Sequence, residues 1–146
     1  MRSHLLNQAM KKLIFCALLF AAHMGFAQKL HLCFTSTDSA FIEDPMQLSF
    51  NVIDKDWANG FVQYKGQQDA FLLSFAVEKV LEKNDSLPPK VEYSFNEFKN
   101  GKTTGKYFIA ITGSKVDYFY YYDKQRKTKI NFAQDFSAGE KCGCNW

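Results

Sequence analysis

Histidine is nearly absent from the body of this chain: beyond residue 27 only His31 remains. Every mechanism that sets an imidazole base beside a Ser or Cys nucleophile must therefore run through that one residue. No G-x-S-x-G and no H-E-x-x-H occurs, which removes the nucleophile elbow and the helical zinc-protease signature. Gly101-Lys102-Thr103 is not a phosphate loop, because Asn96 stands where that loop needs its first glycine. Proline is scarce at three residues in 146, and no Pro/Ser-rich tract or internal repeat divides the chain. Long apolar runs are missing too. The longest, "LIFCALLFAA" at 13–22, is ten residues, against about 20 for a helix that spans a bilayer.

What that run suits is an export signal. Arg2, Lys11 and Lys12 precede it, and Gly25 and Ala27 occupy the −3 and −1 positions of a cleavage site before Gln28. Residues 1–27 are expected to be a signal peptide, cleaved after Ala27, with Met1 or Met10 as the start. The expected destination is secreted or periplasmic. Cys16 lies inside the apolar run behind Phe15, which does not suit lipid attachment. Removing Arg2, Lys11 and Lys12 from the 18 basic residues leaves 15 against 15 acidic, so the remaining chain is neutral. A neutral domain lacks the electrostatic footprint of a nucleic-acid binder. Its charge is uneven: 28–98 carries 6 basic and 11 acidic residues, 99–129 carries 8 and 2.

Residues 28–146 form one expected domain. Its dominant period is two. Leu30, Leu32 and Phe34 alternate with polar neighbours, as do Met46, Leu48, Phe50 and Val52, and then Val91, Tyr93 and Phe95. Segments 106–112 and 116–123 are aromatic and β-branched, and Gly113-Ser114 between them suits a two-residue hairpin turn. The expected fold class is all-β: about eight antiparallel strands in a small barrel or compact sandwich, which hides the edges an open sheet would expose. Segment 69–84 reads as a long bent strand with Phe71, Leu73, Phe75, Val77 and Leu81 on one face. It also carries a helical stripe, which would make the fold α+β.

The run "DYFYYYDKQRKTKINF" (117–132) is the main candidate for recognition. Alternation sets Val116, Tyr118, Tyr120 and Tyr122 on one face, and Lys115, Asp117, Phe119, Tyr121 and Asp123 on the other. Three charges assign the second face to solvent. Phe119 and Tyr121 are then expected as an exposed aromatic pair beside Lys115, Lys124, Arg126 and Lys127, suited to a glycan or protein partner.

Three cysteines follow the signal: Cys33, Cys142 and Cys144. An oxidising destination makes a disulfide the default, with Cys33 bonded to Cys142 or Cys144. The competing reading takes His31, Cys33, Cys142 and Cys144 as a Cys₃His zinc site; the expected metal and cofactor content is none. A hydrolase would need His31 or acidic pairs such as Glu43–Asp44 and Asp54/Asp56. The expectation is a non-enzymatic binding or interaction domain with no membrane span after residue 27.

Two resemblances accompany this reading. "FVQYKGQQ", with the hairpin "GKTTGKY" and the strands that follow it to residue 132, resembles a group of small uncharacterised secreted bacterial proteins. The layout of signal, small antiparallel barrel, early Cys and C-terminal Cys is similar to the periplasmic inhibitors of c-type lysozyme. That likeness implies a lysozyme-type hydrolase inhibitor, whose S-G-x-x-Y loop has its nearest counterpart in Thr104-Gly105-Lys106-Tyr107, with Thr for Ser and one residue less of spacing.

Overall fold

A computed structural model describes residues 30–53, 57–137, 144 and 146. The signal segment 1–27, its cleavage site, Cys142 and the Asp54/Asp56 pair lie outside the described residues. Eight antiparallel strands close into a barrel in chain order: β1 (Leu30–Ser36), β2 (Gln47–Val52), β3 (Asn59–Tyr64), β4 (Phe71–Asn84), β5 (Leu87–Lys99), β6 (Lys102–Thr112), β7 (Lys115–Asp123) and β8 (Thr128–Gln134). Closure is made where β1 meets β8, with Phe34 opposite Gln134 and Ser36 opposite Phe132. One 3-10 turn, Ser39–Phe41, is the only helical element among the described residues. Segment 69–84 is strand, not helix. From Leu72 to Asn84 it pairs with β5, with Phe75 opposite Phe95 and Val80 opposite Val91, and its start pairs with β3.

Tight turns set the register. Gly113 takes φ +61°, the left-handed conformation that the Gly113-Ser114 turn needs and that glycine adopts without a Cβ penalty. The charged turn after β7 is capped by Asp123, whose Oδ1 accepts from the backbone N–H groups of Gln125 and Arg126.

The core is aromatic. Phe34, Phe50, Phe95, Tyr107 and Phe119 are all buried, joined by Leu48, Val52, Val62 and Ile109. Phe119 stacks on Phe34 at 4.0 Å and on Tyr107 at 5.5 Å, and meets Phe50 edge-on at 5.1 Å. The outer surface carries Lys106, Lys129 and Glu92 in positions that alternate with these core residues. The apolar interior contrasts with the polar lumen of a transmembrane barrel. No helix among the described residues is long and apolar enough to cross a membrane.

Bulges overturn two face assignments. On β7 the register shifts between Ala110–Tyr118 and Ile111–Val116, which leaves Asp117 as an extra residue. Val116 therefore faces inward, as alternation predicts, but the extra residue reverses everything after it. Phe119 and Tyr121 are buried at 2% and 8% exposure, while Tyr122 is 39% exposed. The charges that pointed the other way mark no face. Lys115 and Asp123 are strand ends, and Asp117 is the bulge itself. On β4, shifts at Phe75/Val77 and Val80/Glu82 pair Val77 with Ser94 on the outer face, so Val77 is exposed rather than part of the core.

Candidate functional site

The two ends of the barrel differ in kind. At the end bearing the β5–β6 and β7–β8 turns, the interior is sealed by a buried carboxylate, Glu97, at 3% exposure. Its Oε1 accepts from Thr104 Oγ1 at 2.7 Å and from the Tyr121 hydroxyl at 2.9 Å. Its Oε2 accepts from the Tyr107 hydroxyl at 2.9 Å and from that of Tyr64 at 3.2 Å. The Tyr64 and Tyr107 hydroxyls also lie in hydrogen-bonding contact with each other, so their two protons are shared among these three contacts. Four hydroxyl donors for one carboxylate is close to its full acceptor capacity, which is what makes a buried charge tolerable. Thr104 reaches inward because it is the extra residue in a bulge between Glu97–Gly105 and Phe98–Thr103.

Burial raises the hydroxyl pKa of Tyr64, Tyr107 and Tyr121, and the Glu97 charge pushes Tyr64 and Tyr121 further the same way. These hydroxyls stay protonated and serve as donors.

Gly105 makes room for this cluster. A Cβ placed there would stand 2.2 Å from the Tyr121 ring. Gly105→Ala is expected to destabilise the fold by about 1–3 kcal/mol, by forcing Tyr121 off Glu97. Urea unfolding checks it, and an unchanged midpoint would mean that Tyr121 is not held there.

Sequence reasoning passed over Glu97, although the signal was present. Carrying the alternation Val91, Tyr93, Phe95 one step further lands on Glu97, a charge on a core face.

The opposite end is open. Here lie the start of β1, Trp57 ahead of β3, the β4–β5 hairpin and the Gly113-Ser114 turn, around a cavity of about 420 Å³. Leu30, Leu32, Val91, Ile111 and Val116 supply its aliphatic wall, and Pro88 and Pro89 its rim; among the described residues the one ionisable side chain in the lining is Tyr93. The Trp57 indole stacks on the Tyr93 ring at 4.3 Å and 13°. The Trp57 backbone sits at φ +60°, a conformation that costs a bulky residue about 1–3 kcal/mol and that concentrates at binding sites. No sequence pattern announces this cup, because its residues come from four separated segments.

The recognition residues expected from sequence do not form one site. Phe119 and Tyr121 belong to the core and are withdrawn as a binding pair. Lys115 is exposed at the open end, whereas Lys124, Arg126 and Lys127 are exposed in the turn at the sealed end, a nine-residue strand away. An outer aromatic row exists on the other residues of β7. Tyr120 stacks on Phe108 at 4.6 Å with Lys129 Nζ 4.1 Å from its ring centre, and the Tyr118 hydroxyl donates to Glu92. Those ring faces are occupied by neighbours of the same sheet. Thr104, Gly105, Lys106 and Tyr107 lie within β6, with Tyr107 fully buried. Glu43 and Asp44 are exposed between β1 and β2.

Cys33 is bonded to Cys144, 111 residues away, which ties the C-terminal end to β1. His31 lies beside this link on the outer face of β1, turned away from the cup that Leu30 and Leu32 line from the same strand. No protein-family model, no curated protein and no solved structure matches this chain.

Proposed function

We propose that this chain is an exported, non-enzymatic binding domain, processed after Ala27, whose open barrel end takes a small uncharged apolar ligand. The observation that carries the reading is the cup itself. Its volume falls within the range of about 300–1,000 Å³ usual for small-molecule sites, and such sites are mainly hydrophobic and aromatic with few polar groups. Trp57, held in a strained conformation and stacked on Tyr93 at the mouth, supplies a rigid aromatic wall. Among the described residues a charged ligand would find no counter-ion in this lining, and it would lose its hydration on entering. The non-enzymatic part rests on the lining as well. Among the described residues Tyr93 alone could exchange a proton there, and burial raises its pKa. The export part rests on the signal pattern of residues 1–27.

The experiment is a titration with N-phenyl-1-naphthylamine, a neutral apolar fluorophore, in a Trp146→Phe background that leaves Trp57 as the reporting indole. Saturable one-to-one enhancement, with quenching of Trp57, is expected. Trp57→Ala should weaken it by about tenfold, the equivalent of about 1.4 kcal/mol. Val116→Lys, which sets a cation in the wall, should abolish it. Equal binding by all three proteins would sink the assignment to this cup.

A further inference from the structure

The outer face of β1 and β2 holds a second chemical cluster, unrelated to the cup. A ring nitrogen of His31, Cys33 Sγ and Cys144 Sγ lie within 4.8 Å of one another, with His31 Nε2 3.8 Å from Cys33 Sγ. We propose that, when the Cys33–Cys144 bond is reduced, these three side chains bind one thiophilic divalent ion of the zinc class.

The imidazole is set for this role by the residues behind it. Asn51, at 2% exposure, directs its amide N–H₂ to Ser49 Oγ at 3.2 Å and to the Phe61 carbonyl at 3.4 Å. That fixes Asn51 Oδ1 as the atom facing His31, and Oδ1 accepts from His31 Nδ1. The proton is therefore on Nδ1, and the basic nitrogen, Nε2, is turned towards Cys33 Sγ at 3.8 Å. Metal-ligating histidines are held in the same way, by a second residue that takes the far N–H.

The separation suits coordination as well. Zinc–sulfur and zinc–nitrogen bonds of about 2.3 and 2.0–2.1 Å at a tetrahedral angle put the two ligand atoms about 3.5 Å apart. With the ring proton on Nδ1, neither Nε2 nor the disulfide sulfur carries a hydrogen, so this contact is not a hydrogen bond. His31 and Cys33 share one face of β1 because they are two residues apart on a regular strand. Cys144 arrives from the other end of the chain.

The chemistry balances with a dithiol as reductant. The dithiol gives two electrons and two protons to the Cys33–Cys144 bond and becomes a disulfide itself. The ion then displaces the two thiol protons to solvent and takes Nε2 as third ligand, with water in the fourth position. A disulfide as oxidant reverses the sequence: it takes two electrons from the two thiolates and two protons from solvent to become a dithiol, the Cys33–Cys144 bond re-forms and the ion leaves, so one set of residues ties the C-terminal end to β1 under either redox condition.

The test uses the full chain with Cys16→Ser and Cys142→Ser, so that Cys33 and Cys144 are its only thiols. It is reduced with a phosphine under anaerobic conditions and titrated with Co²⁺. The expected result is one ion per chain, with thiolate-to-cobalt absorption in the near ultraviolet, intense visible bands of four-coordinate cobalt, and loss of both on adding Zn²⁺. His31→Gln should weaken binding at least about tenfold, and Asn51→Ala by about tenfold through loss of ring orientation. Far-UV circular dichroism accompanies each titration. Three outcomes would overturn the proposal: no cobalt–thiolate absorption, equal affinity in the His31→Gln protein, or a reduced chain that loses its β spectrum and does not regain it with metal.

Discussion

Glu97→Ala is expected to cost about 3–5 kcal/mol of stability, more than any exposed substitution in this protein. The change leaves the hydroxyls of Tyr64, Tyr107 and Tyr121 and that of Thr104 without their shared acceptor inside the sealed end. Each buried donor left unsatisfied costs about 1–3 kcal/mol, partly recovered where two hydroxyls can turn to one another, as Tyr64 and Tyr107 already do. Glu97→Gln keeps one acceptor oxygen and the volume, so it should cost less, about 1–2 kcal/mol. Equilibrium urea unfolding of the two variants separates the network from the charge. An Ala variant within about 0.5 kcal/mol of the parent would mean that the cluster contributes nothing net.

The same cluster predicts an alkaline limit, and the sign follows from the direction of the shifts. Burial raises the folded-state pKa of Tyr64, Tyr107 and Tyr121 above the ordinary value of 10.0. Above that value the unfolded chain releases tyrosine protons that the folded chain retains. The contribution is therefore fully present below about pH 10 and is lost as pH rises through the folded-state values. Stability measured from pH 8 to 11 should fall above 10, and less steeply in Tyr121→Phe.

The second large effect is at Phe119. Phe119→Ala should cost about 3–5 kcal/mol, because the ring is stacked against Phe34 and Tyr107 and meets Phe50 edge-on, with no solvent path to fill the void. Tyr122→Ala, three residues along the same strand, should cost under about 1 kcal/mol, since that ring is 39% exposed. Thermal melts of both report which face of β7 is inside. The reverse ranking would mean that the bulge at Asp117 does not form.

That ranking also marks how far the linear chain could be read. Period-two alternation, few prolines and short polar turns determined an all-β chain of about eight antiparallel strands, and the Gly113-Ser114 turn was legible because only certain residues tolerate its backbone. The cysteine inventory narrowed the disulfide to Cys33 with Cys142 or Cys144. Choosing Cys144 took the tertiary structure, because two cysteines one residue apart differ in reach and not in composition.

The faces of β7 could not be read from alternation. A single extra residue inverts every position beyond it, and Asp117 resembles any other polar residue until its place outside the β6–β7 backbone register is seen. Glu97 broke the alternation of β5 visibly, but its meaning depended on Tyr64, Thr104, Tyr107 and Tyr121 converging from three other strands. The cup is more distant still from the sequence. Leu30, Trp57, Tyr93 and Val116 become neighbours only because the strands close into a ring, and closure is a long-range event that no local pattern encodes.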